Sequence, residues 1–396
     1  MFASQRPSRR QCLEWLPAAL ACTWAIPSQG VALASTRPAN AQPLRFPRDL
    51  GAHLDADIEW WYLTGYLHEA GATIDDTPHG FQITFFRKRI PSTQALSQQL
   101  TAKHLLFAHA ALTWSPNGQT SPALRHDQRM ARWNGQPQTA NDSVQGANAQ
   151  RDHMGVFIGH GQRAWRIDDQ GAPAGPLPTF RTRVAANNFT LDLNAASTQA
   201  VVLQGDQGRS QKGPDPTHAS WYTTHPQLTV SGRISVDQQP PFAISGRAWL
   251  DHEWSAGFMP ADAVGWDWIG MNFDDGSALT LFQMRRADGQ AVWAGGSWRD
   301  GEKRQTRAFQ PNEITWQAIN KWVSPKTGIN YPAQWRILTP VGMYTVEPVS
   351  FEQELDSRES TGTIYWEGLS ALRDARGRRV AWGYLEMTGY GNPIEI

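Results

Sequence analysis

Apolar and polar positions alternate in short strokes along most of this chain, the period of a strand with one buried face. Glu59–Leu67 and Gly80–Arg87 are rich in aromatic and β-branched residues, and the polar segment Glu69–Pro78 separates them. That pattern predicts two neighbouring antiparallel strands. Leu105–Trp114 extends the sheet. Residues 115–150 hold mostly Gln, Asn, Ser, Gly and Pro without a clear period, and read as long loops. Ala164–Ile167, Phe180–Arg183, Phe189–Leu193 and Val201–Leu203 follow as short strands, and Gly205–His218 reads as a loop over one end of the sheet.

A second set begins after Pro240-Pro241. Ile244–Trp254, Gly265–Phe273, Ser277–Arg286 and Ala291–Trp298 alternate in the same way, joined in part by Asp274-Asp275-Gly276 and Asp288-Gly289-Gln290. Asp-Gly between two alternating runs is a strong hairpin signal. Trp335–Ile337, Gly362–Leu369 and Arg379–Gly389 complete the set. Short strands without intervening helices favour closed antiparallel barrels or sandwiches over a parallel sheet. The two sets also echo one another. Trp60-Trp61-Tyr62, Gly65 and Ile83–Arg87 match in outline Trp266-Asp267-Trp268, Gly270 and Leu279–Phe282 with Arg285. The expected organisation is an all-β chain of two related barrels, 42–240 and 241–396.

The first forty-one residues differ in kind. Ser8-Arg9-Arg10-Gln11 precedes an apolar run from Leu16 to Ile26, and small residues end at Ala34 and Ala41. This is the architecture of an export signal, with paired arginines of the twin-arginine type and cleavage expected after Ala34 or Ala41. A lipoprotein anchor at Cys22 is a weaker alternative. The run is too short and too interrupted by Pro17 to span a membrane. Export to the periplasm or beyond removes four arginines, one glutamate and both cysteines, Cys12 and Cys22. The remaining chain is slightly acidic, which gives nothing to attract nucleic acid. It also has no disulfide, thiol nucleophile or thiolate metal site.

Composition sharpens the chemistry. Nineteen tryptophans stand among only 18% charged residues, so carboxylates embedded in aromatic strands stand out. Arg247, Trp249, Asp251 and Glu253 project to one face of their strand; Ala248, Leu250, His252 and Trp254 project to the other. In the next strand Asp267 projects opposite to Trp266 and Trp268. One acid per aromatic strand recurs at Glu59, Glu367 and Glu386. A buried carboxylate is costly unless paired, so most of these acids should be structural, held by Arg87, Arg247, Arg285 or backbone donors. Asp251, His252 and Asp267 are the candidates for a tuned acid–base group, because acids, an imidazole and cation-stabilising rings converge within two strands. Trp249, Trp254, Trp266, Trp268, Trp60, Tyr62, Tyr222 and Trp366 are candidate ligand-binding aromatics. Glu59, Glu253 and Glu367 are secondary acids, and Lys212 and Tyr222 flank a Gly/Pro loop. No Gly-x-Ser-x-Gly elbow, no His-Glu-x-x-His helix and no phosphate-cradling glycine loop occurs, so neither a metal nor a cofactor is expected.

Several of these stretches carry a resemblance. Phe46-Pro47-Arg48-Asp49, Glu59–Gly65, Gly80–Arg87, Ala219–Tyr222, Trp249–Trp254, Gly265–Trp268, Trp322–Gly328, Tyr365–Gly368 and Gly383–Tyr390 together look like the AttH-like family of exported lipocalin-like proteins. The resemblance covers nearly all of the chain beyond the signal. It implies two consecutive lipocalin-like barrels with a cavity near their junction, and similarity in fold to the carotenoid 1,2-hydratases. In that reading a carboxylic acid, Asp251 or Asp267, protonates an isolated alkene of a small hydrophobic ligand, and tryptophan faces stabilise the cation. His252 would hold the acid or guide water. The family equally implies an alternative, a non-catalytic carrier working with an ABC transporter in the inner membrane.

Overall fold

A computed structural model of the chain describes residues 43–394, except 71, 73–76, 98–100, 115–121, 142–145 and 172–176. The expected export signal, its cleavage points and Cys22 lie outside the described residues. What is described is all-β, with helix confined to single 3-10 turns. Two antiparallel sheets, one of thirteen strands and one of ten among the described residues, form two consecutive lipocalin-like barrels. The first runs from Ile58 to Ser255 and the second from Gly265 to Met387.

The alternation read from the sequence becomes the division between barrel interior and exterior. In the strand Ile58–Glu69, Trp61, Leu63 and Leu67 enter the core of the first barrel with Phe81, Ile83, Phe85 and Leu250. In Gly265–Phe273, Ile269 and Met271 enter the core of the second with Leu281, Tyr331 and Trp366. Tyr62, Tyr66, Trp249, Trp268, Leu369 and Tyr384, from the outward faces of the same strands, form a third apolar cluster between the barrels. Burying each of these large side chains contributes about 1.5–3 kcal/mol to holding the barrels together.

The sequence echo is topological as well. Ile58–Glu69 lies between its hairpin partner His79–Arg89 and the last strand of its sheet, Phe242–Ser255. Gly265–Phe273 likewise lies between Ala278–Arg285 and its last strand, Arg379–Met387. Gly276 (φ 85°) and Gly289 (φ 87°) sit at the two Asp-Gly hairpins, in the left-handed conformation such turns require.

Two expectations change, and one strand goes unread. The chain passes from one sheet to the other at residues 256–264, not near 240: Pro240-Pro241 merely turns between two strands of the first sheet, Ala219–Val236 and Phe242–Ser255. The polar segment 115–150 contains the strand Ala123–Trp133, an edge strand whose weak period follows from being only half covered. Ala219–Val236 is a continuous strand of 18 residues, although Pro226 interrupts its pattern. A bulge between His225 and Leu228, with Gln227 at φ 58°, absorbs the proline where no ladder N–H is needed.

Candidate active site between the barrels

A cavity of about 820 Å³ lies between the two sheets. Trp60 and Tyr62 face it from the first barrel, and Trp266 and Trp268 from the second; Phe258 and Phe282 add to the aromatic wall. Four acids also line it: Asp251, Glu253, Glu367 and Glu386. They come from the outward faces of three strands, as period-two alternation requires.

Asp251 is buried, 3% exposed, and engaged on both oxygens. Thr224 Oγ1 (2.6 Å) and Trp249 Nε1 (2.8 Å) donate to Oδ1, and Tyr222 Oη (2.6 Å) donates to Oδ2. Trp268 Nε1 in turn donates to Tyr222 Oη at 2.9 Å, so a hydrogen-bonded chain crosses from one barrel to the other. Burial raises the Asp251 pKa to about 7 against those three donors, with the nearby Glu253 adding to the rise. A carboxyl poised at this value is neutral or charged with nearly equal ease.

Glu253 is built differently. Lys212 Nζ lies 3.0 Å from its Oε1, and Ser220 donates to the same oxygen. The Lys212 ammonium also sits over the Phe282 ring (4.0 Å) and the Tyr222 ring (4.7 Å).

Glu367 and Glu386 are directly opposite one another on adjacent strands. Burial first, then the charge of Glu386, pushes Glu367 well above the carboxylate range. Burial likewise raises Glu386 to about 7, opposed by a hydrogen bond from Trp266. The register makes Glu386 the counterpart of Asp251: Tyr62 pairs with Asp251 in the first barrel as Trp268 pairs with Glu386 in the second. The two barrels thus present equivalent acids to one cavity.

The other expected groups do not converge here. His252, next to Asp251 in sequence, points into the first barrel, where its Nε2 is 2.9 Å from Glu59 Oε1. Glu59 also receives Arg87 Nε at 2.8 Å and His53 Nδ1 at 2.9 Å. Its pKa is held far below the usual range despite complete burial, by His252, His53 and Arg87. Burial keeps His252 below the ordinary imidazole value, although both ring nitrogens face acceptors. His53 is raised, since hydrogen bonds to Asp49 and Glu59 outweigh its burial, and it stacks on Trp254 at 3.7 Å. His53, Glu59 and His252 bring three ligand-type atoms within 4.8 Å of one another. Each is already held by a proton-sharing partner and Arg87 lies against the same carboxylate, which suits an internal ion cluster better than a cation site.

Asp267 points into the second barrel, taking Gln283 Nε2 and Tyr390 Oη at 2.8 Å each, with Arg285 Nε at 3.4 Å. Trp366 also faces that interior and donates to Phe351 O at 2.7 Å. Of the three candidates for acid–base work, only Asp251 reaches the cavity; His252, Asp267, Trp254 and Trp366 lie on the opposite faces of their strands.

Sequence reasoning passed over a further group at the cavity. His109 of the first barrel is buried, with Nδ1 2.8 Å from Tyr365 Oη and Nε2 2.8 Å from Ser360 Oγ, both of the second. Burial lowers it to about 3, so it is neutral. Its only signal in the sequence was an imidazole inside an apolar run.

The family model of AttH-like proteins matches residues 37–390. Among solved structures, a protein described as an AttH from Nitrosomonas europaea is 36% identical, covering 91% of this chain and 100% of its own, with a TM-score of 0.76. Kievitone hydratase from Nectria haematococca shares the fold at 14% identity and a TM-score of 0.59, covering 87% of this chain and 91% of its own. No curated protein matches the sequence. With its two barrels and the family match over nearly its whole length, this chain belongs to the AttH-like family.

Proposed function

We propose that the chain binds a hydrophobic, isoprenoid- or lipid-like molecule between its barrels and catalyses cofactor-free acid–base chemistry on it, hydration or isomerisation of a carbon–carbon double bond. The observation that carries this reading is Asp251: a carboxyl with a pKa near 7, in the wall of an aromatic cavity, hydrogen-bonded to a phenol that faces the same space. When Asp251 is neutral, its proton can be donated to Tyr222 Oη, which also accepts from Trp268. The phenol's own proton is then free to pass to a bound alkene, leaving Asp251 as carboxylate once the relay resets. Trp60, Trp266 and Trp268 offer π-faces to the resulting carbocation. Water adds to it, or a neighbouring C–H gives up its proton, and the proton released regenerates the acid.

The fold shared with kievitone hydratase is compatible with this chemistry. A carrier working with an ABC transporter would use the same cavity, but would leave the raised acids without a task. We place the activity in the cell envelope, on the export pattern of residues 1–41.

The test is to extract the purified native protein with organic solvent, identify the bound molecule by mass spectrometry, and offer it to Asp251→Asn and Tyr222→Phe. Turnover should fall by about 10²–10³-fold in each, with binding retained. Unchanged turnover in both variants, or a ligand released without any product, would return the protein to the carrier reading.

A further inference from the structure

Lys212 shows what this cavity does with an ammonium. Its Nζ is 3.0 Å from the Glu253 carboxylate and lies against the faces of Phe282 and Tyr222, the combination that favours organic cations. The Glu367–Glu386 pair repeats half of that arrangement. Two carboxyls stand directly opposite each other, between Tyr62 from one barrel and Trp266 from the other. Among the described residues no arginine or lysine pairs with either. Burying like groups face to face without a counter-ion is an expensive arrangement for structure alone.

A second observation concerns the polar atoms that line the cavity beside this pair. Tyr62, 6% exposed, turns a buried hydroxyl toward the same space, and apart from one another neither that hydroxyl nor Glu367 Oε1 has a hydrogen-bond partner. The phenol lies against Glu367, close enough to ease that acid's ionisation. Buried polar atoms left open toward a cavity are where a ligand's polar group belongs.

We propose that Glu367, Glu386 and Tyr62 form the binding site for the positively charged nitrogen of a hydrophobic organic amine or quaternary ammonium, whose apolar part lies along the tryptophan wall. The proposal takes from the preceding section only that the cavity receives an apolar ligand, and adds a charge to it. The titratable groups that act on or feel this pair are Tyr62 from the Ile58–Glu69 strand, Glu253 from Phe242–Ser255, Asp267 from Gly265–Phe273, Tyr365 beside Glu367 and Tyr384 beside Glu386. None of them supplies a positive charge. A bound cation therefore draws protons off the pair, and binding is tighter at higher pH.

Benzyltrimethylammonium and its uncharged isostere neopentylbenzene separate the charge from the shape. Binding to the full-length protein is followed by tryptophan fluorescence and by calorimetry in two buffers of different ionisation enthalpy. At pH 8 the ammonium should bind about tenfold more tightly than the isostere, the ratio expected of one desolvated cation–π and carboxylate contact. At pH 7 calorimetry should show proton release on binding, and the preference should shrink below pH 6. The double variant Glu367→Gln/Glu386→Gln should lose the preference while still binding neopentylbenzene. Equal affinities for the two probes would overturn the proposal and leave a neutral hydrophobic ligand standing. A preference that survives in the double variant, ammonium binding without proton release in the wild type, or no binding of either probe would overturn it as well.

Discussion

At the level of single residues, the informative contrast is between acids that share a neighbourhood but not a fate. Asp251 and His252 are adjacent in sequence, yet one faces the cavity and the other the barrel interior. Glu59 is held ionised by Arg87 and two imidazoles, and removing its partner strands a buried charge. Arg87→Met should therefore destabilise the protein by about 3–5 kcal/mol, measured by urea unfolding at pH 7, while Glu59→Gln/Arg87→Met together should cost clearly less than the sum of the two single changes. A strictly additive double variant would show that the pair is not the unit described. The faces of these residues were legible from the alternation alone; of the expected arginine partners, Arg87 and Arg285 hold acids, whereas Arg247 donates to Gln227 instead. The hydrogen bonds that tune Asp251 were not, because Tyr222 and Thr224 arrive from a strand some thirty residues earlier, and alternation says nothing about register between strands.

Strands were legible wherever one face met a core and the other met something different. Gly265–Phe273 was read with its observed limits, since it is buried along nearly all its length and ends at an Asp-Gly turn. Ala219–Val236 was missed because its pattern breaks at Pro226, and the break has a purpose visible only in three dimensions. At the bulge, Gln227 turns toward the second barrel: its N–H donates to Asn272 Oδ1 (2.8 Å), and its amide donates to Phe273 O (2.8 Å) and Ser277 O (2.7 Å). Gln227→Ala would remove these two side-chain bonds and the one its Oε1 accepts from Arg247, and keep the strained backbone. A loss of about 2–3 kcal/mol is expected in chemical denaturation. A change below about 0.5 kcal/mol would mean that the pin is ornamental.

For the molecule as a whole, the acids impose a pH profile with two limbs. Glu59 and Asp49 have folded pKa values below their unfolded ones, so the stability they contribute is present above about pH 4.5 and is lost as pH falls. Asp251 and Glu386, both near 7, and Glu367 have raised values. Their contribution is complete below about pH 4 and is lost as pH rises through 7. Burial also holds His79, His104, His109, His126 and His225 well below the ordinary imidazole value, so stability falls as pH drops through about 6.5. It should therefore peak at about pH 6–7 and decline toward about pH 8. Urea titrations across pH should show that decline flattened in Asp251→Asn/Glu386→Gln. An identical slope in wild type and variant would remove these acids as its source. At this scale the sequence was a fair guide to two barrels and a poor one to where they divide: Pro240-Pro241 looked like punctuation between domains, whereas the strand after it completes the first sheet.

The division of the cavity wall has a consequence for how such a protein could arise and be taken apart. Asp251, Tyr222 and Tyr62 belong to one barrel, and Trp268, Glu367 and Glu386 to the other, so either barrel alone carries half of a wall and encloses nothing. Duplication of a single ancestral barrel would have brought no gain at this cavity until the two copies were joined face to face. By the same geometry, a chain severed within 256–264 would behave as a coincidence detector, with ligand capture reporting that both fragments had met.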